Sequence, residues 1–106
     1  MKHDSVYVGH IADALNKIET YTQGVSYEQF MGNQMMIDAV LREMQIIGEA
    51  AKRLSQKFKD KHPDIPWRAI TGFRDKAVHD YFDVNVMTVW ETIEMDLPQL
   101  RQALIQ

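Results

Sequence analysis

Apolar residues recur in steps of three and four along most of this chain, the spacing that marks one face of an α-helix. The first such segment runs from about Ser5 to Thr22, with Val8, Ile11, Leu15 and Ile18 on its stripe and Gly24 as a stop. Ser26 followed by Gln29 has the form of a capping box and predicts a short helical turn before Gly32. Asn33 then caps the longest segment, expected from Gln34 to Lys59, with Ile37, Val40, Met44, Ile47, Ala51, Leu54 and Phe58 in register. A second strip of smaller residues, Ala39, Ile46 and Ala50 with Gly48 nearby, lies beside the first. A helix apolar on two sides must bury both, which makes self-association a reasonable expectation.

Pro63 and Pro66 interrupt the pattern, and Pro66 stands where a new helix begins. A third helix is predicted from Trp67 towards Val78. A fourth is predicted with Asp83 as its cap and Val86, Val89 or Trp90, Ile93, Leu97, Leu100 and Leu104 as its stripe. Pro98 falls inside that stripe and should kink or restart it. Few segments alternate with period two. The expectation is one all-α domain over residues 1–106, an antiparallel up-and-down bundle of four main helices.

Composition narrows the function classes. With 106 residues there is room for one core, and 45% apolar with 25% charged residues is the balance of a folded chain. No apolar run is long enough to span a membrane, and the N-terminal "MKHDSVYVGH" lacks the apolar block of a signal peptide. The chain has no cysteine, which excludes thiolate chemistry and fits a reducing cytoplasm. A formal charge of −3 requires that any grip on nucleic acid come from a local patch.

One local patch exists. "KRLSQKFKDKH" sets Lys52, Arg53, Lys57, Lys59 and Lys61 against a single acid, Asp60. It reads either as phosphate-binding or as favourable charge at a helix C-terminus. Met35, Met36 and Met44 suit a core or an interface. His3, His10 and His62 lack the paired spacing of metal ligands, so neither a metal nor a cofactor is expected.

The segment "GFRDKAVHDYFDV" carries the candidate chemistry. At about 100° per residue, Trp67, Ile70, Phe73, Ala77, Val78 and Tyr81 share a buried face, and Arg74 falls within that arc. A buried guanidinium needs a carboxylate, carbonyls or an anion, and Glu43 or Glu49 of the long helix would serve as an internal partner. His79, five residues on, falls about 140° from Arg74, while Asp75 lies one turn before it. For Arg74 and His79 to serve one phosphate, the helix must unwind near Val78 or a second subunit must bring the partner group. Given that, a histidine that moves protons and an arginine that stabilises phosphate charge suffice to cleave RNA through its own 2′-hydroxyl.

"RDKAVHDYF" resembles the Arg–x4–His–x–Tyr signature of the HEPN superfamily, specifically the HepT toxins of the DUF86 group. "IIGEAAKRLS" and "PWRAITGFRDKAVHDYF" extend the likeness over nearly the whole chain. The resemblance implies an α-helical homodimer with its site in a cleft between protomers. It implies a metal-independent ribonuclease toxin paired with a nucleotidyltransferase antitoxin of the MNT type. By the same likeness Arg74 and His79 are the catalytic pair, and Tyr81 is the position to which the partner transfers AMP. Asp75 is the supporting residue, and Lys76, Lys52 and Arg53 are candidates for RNA phosphate contacts. One departure stands out: the family often has Asn where this chain has Asp75, which adds a negative charge near the proposed phosphate. The alternative is a non-catalytic helical dimer that binds a nucleotidyltransferase or a nucleotide.

Overall fold

The computed structural model describes the backbone of residues 3–79 and 85–104, with side chains up to Phe73 and again from Asn85. Seven α-helices and one π-helical stretch account for most of this, and no strand occurs among the described residues. They are α1 (Asp4–Thr22), α2 (Tyr27–Met31), α3 (Gln34–Arg53), α4 (Gln56–Asp60), α5 (Trp67–His79), α6 (Val86–Glu91), the π stretch Thr92–Asp96 and α7 (Leu97–Leu104). The fold is all-α.

Local chemistry sets the boundaries. Gly24 takes φ +71°, a left-handed conformation that suits a residue without Cβ, and the chain turns there after α1. The Ser26 and Gln29 box forms in both directions: Gln29 N–H donates to Ser26 Oγ at 3.2 Å, and Ser26 N–H donates to Gln29 Oε1 at 2.9 Å. Asn33 caps α3 by accepting from Met36 N–H at 3.0 Å.

The long helix stops earlier than its apolar register predicts. Leu54 is extended at φ −66°, ψ 145°, and α4 begins again after Ser55. Asp4, at the start of α1, accepts from Ser55 N–H at 2.8 Å and from Ser55 Oγ at 2.7 Å. Ser55 Oγ in turn accepts from Phe58 N–H and caps α4. A serine held in this way cannot continue a helix, so polar capping overrides the apolar pattern. The same contact joins the start of α1 to the end of α3, so these two helices run in opposite directions.

Helix α3 is the centre of the molecule and packs against both α1 and α5. Ile37, Val40, Met44, Ile47, Ala51 and Leu54 of the predicted stripe are buried. Gly48 and Ala50 of the second strip are buried as well. Ala39 and Ile46 of the same strip are only half-buried, so part of that face stays open to solvent. Met35, by contrast, is 83% exposed and belongs to no core.

The fourth predicted helix starts after Asn85, whose Oδ1 accepts from Thr88 N–H at 3.3 Å. Asp83, the predicted cap, lies outside the described residues. Val89 and Trp90 both point inward: Val89 is buried, and the Trp90 ring lies 5.2 Å from that of Phe30. Helical backbone runs on through Pro98 without a restart, and a π stretch immediately precedes it. Leu97 N–H donates to Thr92 O, one residue further back than in an α-helix, immediately before a proline that has no N–H to give. Helix α7 then continues and is tied to α1 where Arg101 donates to Asn16 Oδ1 at 2.8 Å and pairs with Glu19 at 3.0 Å.

Candidate functional site

Helix α5 carries the motif, and its first turn is firmly placed. Ile70 N–H donates to Pro66 O at 3.0 Å. The Trp67 indole N–H is shared between Lys59 O at 3.2 Å and His62 O at 3.1 Å, which fastens the end of α4 to the start of α5. Ile70 and Phe73 are buried against the core, as predicted. Arg68 and Ala69 on the same turn are exposed.

Helical backbone extends through His79. Positions 74, 75, 76 and 79 thus share one uninterrupted helix, and their side chains, like that of Tyr81, lie outside the described residues. The helix does not unwind at Val78. Five residues of α-helix separate positions 74 and 79 by about 140° around the axis and about 7.5 Å along it.

Glu43, one of the two proposed carboxylate partners of Arg74, is 6% exposed on α3, the helix against which α5 packs. A buried carboxylate on the neighbouring helix is the environment that an inward guanidinium requires. Glu49, the other, is half-buried. Lys52 and Arg53 are exposed in the last turn of α3. They lie at the end of the molecule where α5 begins, not where it carries His79.

Two clefts flank the first half of α5. One, of about 450 Å³, lies between α4 and α5 and includes Lys59, Trp67, Arg68 and Thr71 in its lining. The other, of about 510 Å³, lies between α5 and the π stretch, with Gly72, Glu91 and Asp96 in its wall. Arg68 lines both. The motif pattern does not single out this arginine, although helical register would have: it precedes position 79 by eleven residues, and eleven residues bring an α-helix back to within about 20°.

Among the described residues no cluster of His, Cys, Asp or Glu has a metal-binding arrangement. No described helix is long and apolar enough to cross a membrane. The titration of Asp4 is perturbed: the Ser55 backbone N–H first, then its hydroxyl, hold that carboxyl below the ordinary value. This group sits in the α1–α3 junction and serves the fold.

Known proteins resemble this chain over most of its length. A protein named "Probable ribonuclease HepT" from Thermococcus cleftensis is 41% identical over 95 residues, which is 90% of this chain and 86% of that protein. A protein of Caldanaerobacter subterraneus subsp. tengcongensis, provisionally named an RNase, is 38% identical over 102 residues, 96% of this chain and 91% of its own. A Methanocaldococcus jannaschii protein with the same provisional naming is 36% identical over 92 residues, covering 87% and 76%. No solved structure matches the chain. The family model described as "Ribonuclease HepT-like" matches residues 11–106, from the first fully buried residue of α1 through the Arg74–Tyr81 segment to the end of the chain. This chain belongs to the ribonuclease HepT-like family.

Proposed function

We propose that the protein is a metal-independent endoribonuclease toxin that acts in the cytoplasm as a homodimer and is silenced by a nucleotidyltransferase antitoxin. The observation that carries this reading is the family match across a helix that presents Arg74, Asp75 and His79 on continuous backbone. In this reading α1, α3, α5 and the run from α6 to α7 are the four main helices of each protomer. Two protomers meet over the C-terminal half of α5.

The chemistry uses the substrate's own nucleophile. The 2′-hydroxyl attacks the adjacent phosphorus, and the bond to the 5′-oxygen breaks. A 2′,3′-cyclic phosphate and a 5′-hydroxyl result. The net proton movement is from the 2′-oxygen to the 5′-oxygen, and His79 carries it. Arg74 stabilises charge that accumulates on the phosphoryl oxygens. Lys76, Lys52 and Arg53 contribute phosphate contacts away from the scissile bond. Adenylylation of Tyr81 adds bulk and a phosphate charge that competes with RNA for Arg74.

Wild type, His79→Ala and Arg74→Ala are to be compared for RNA cleavage in chelator, with the product ends analysed. Wild type should yield cyclic phosphate termini and both variants almost none. Equal cleavage by wild type and His79→Ala would defeat the assignment. A second reading, a non-catalytic partner for the nucleotidyltransferase, draws on the formal charge of −3 and on Asp75. Growth separates the two: expression without the antitoxin arrests cells only if the chain cleaves RNA.

A further inference from the structure

The cleft between α4 and α5 combines the features that hold a single nucleic-acid strand, and none of them belongs to the motif. Lys59 and Arg68 stand on its two sides, Trp67 forms part of its wall, and Gln56 and Thr71 supply further polar groups. A cationic groove with an aromatic wall suits an RNA strand, because phosphates meet the cations and a base stacks on the ring. The wall is fixed in advance, since the Trp67 indole N–H is already held by Lys59 O and His62 O. The Phe58 ring braces it at 6.3 Å. Asp60, the one carboxylate in the lining, accepts from Gln56 Nε2 at 2.9 Å. Neither Arg68 nor Lys59 is ion-paired with a described residue.

Charge along the chain singles out the same end. Residues 52–68 hold six of the twelve Lys and Arg but only two of the fifteen Asp and Glu. Six cations less two acids give this segment +4 against −7 for the other residues, and Asp4, bonded to Ser55, brings this end of the fold to +3. A polyanion approaching a chain of net −3 is drawn to this end and repelled elsewhere. The neighbouring cleft is the less favourable path, because Glu91 and Asp96 line it. Helical register supplies the connection to the site: backbone positions 68, 72, 75 and 79 follow one stripe of α5. Arg68 and position 79 are about 16 Å apart along the axis.

We infer that the α4–α5 cleft is a phosphate-binding subsite for the RNA strand, with Arg68 and Lys59 as its binding residues and Trp67 as its stacking wall. The ligand class rests on the ribonuclease reading; the position of the subsite does not. Binding is measured by fluorescence anisotropy on the full chain, using a labelled 2′-O-methyl RNA dodecamer that lacks the nucleophile. Arg68→Gln should weaken binding about fivefold and lower the slope of log K against log salt by about 0.7, the value for one lost single-strand phosphate contact. Lys59→Gln should act in the same direction, and Arg68→Lys should restore most of the affinity. Lys17→Gln on exposed α1 changes net charge equally and should leave binding unchanged. An Arg68→Gln protein with wild-type affinity and salt slope overturns the inference. So does an equal loss in Lys17→Gln, or a wild type that does not bind the dodecamer. Cleavage is scored separately on unmodified RNA. Binding through Arg68 without cleavage supports the subsite and defeats the ribonuclease reading, whereas cleavage with binding indifferent to Arg68 does the reverse.

Discussion

Mixed dimers test whether two copies of the chain build one site. Helix α5 is continuous through His79, so positions 74 and 79 stand about 140° apart around its axis. One phosphate cannot easily meet both from a single helix, but it can lie between Arg74 of one protomer and the partner's His79. A twofold dimer then holds two such composite sites. Pairing an Arg74→Ala protomer with a His79→Ala protomer destroys one site, which loses both groups, and leaves the other intact. A heterodimer isolated through two different tags should therefore retain about half of wild-type cleavage, and a randomly reassorted mixture about a quarter. Each homodimeric variant should be nearly inactive. The assay is cleavage of a labelled RNA in chelator, with heterodimer content verified by the two tags. If the pure heterodimer were as inactive as its parents, the groups would act within one protomer and the geometric argument would fail.

The fold and the silencing reaction make further claims. Ile47 is fully buried at the middle of α3, and Ile47→Ala should cost about 2–5 kcal/mol in denaturant unfolding, a large part of a small domain's stability. Asp4 is held below its ordinary value of 3.8 by Ser55, so its contribution is present above that value and lost as pH falls through the lower folded value. The stability gap between wild type and Asp4→Asn, followed by urea unfolding, should hold near neutrality and close in acid. Tyr81→Phe should resist inactivation by the nucleotidyltransferase and ATP, with mass spectrometry showing no added AMP.

The sequence disclosed the fold wherever a feature was local. The steps of three and four from Ile37 to Leu54 gave the core face of α3, and Ser26, Gln29 and Asn33 act as the caps their types predict. The break after Arg53 was not legible, because it depends on Asp4 reaching Ser55 across 51 positions. Apolar register alone carried the predicted helix past it to Lys59. Pro98 announced a disturbance, but a kink, a restart and a π stretch all relieve the same missing N–H. At the site, spacing placed Arg74 among apolar neighbours and set His79 away from it, and the continuous α5 backbone keeps the two positions in that relation. Arg68 escaped because nothing in the motif points to it. Its setting needs α4 folded back against Trp67, a contact that sequence spacing does not specify.

Asp75 offers the sharpest test of the supporting role proposed for position 75. Position 75 is one turn before 79 on the same stripe of α5, so in the proposed site an acceptor there would orient His79. Aspartate and asparagine both supply that acceptor, and only aspartate adds a charge. A unit charge about 10 Å from a phosphate, in a partly solvated cleft of effective dielectric near 40, opposes binding by about 0.8 kcal/mol, or roughly fourfold. Asp75→Asn should therefore lower KM for RNA about fourfold at low salt, with kcat within about twofold of wild type. The gain should fade as salt screens the charge. Asp75→Ala removes the acceptor together with the charge, so its gain in KM should come with a fall in kcat. If Asp75→Asn instead lowered kcat tenfold and left KM alone, the carboxylate charge itself would be required, and the two side chains could not be treated as equivalent orienters. Steady-state kinetics on a single RNA at two salt concentrations distinguishes these outcomes, because orientation acts on kcat and repulsion on KM.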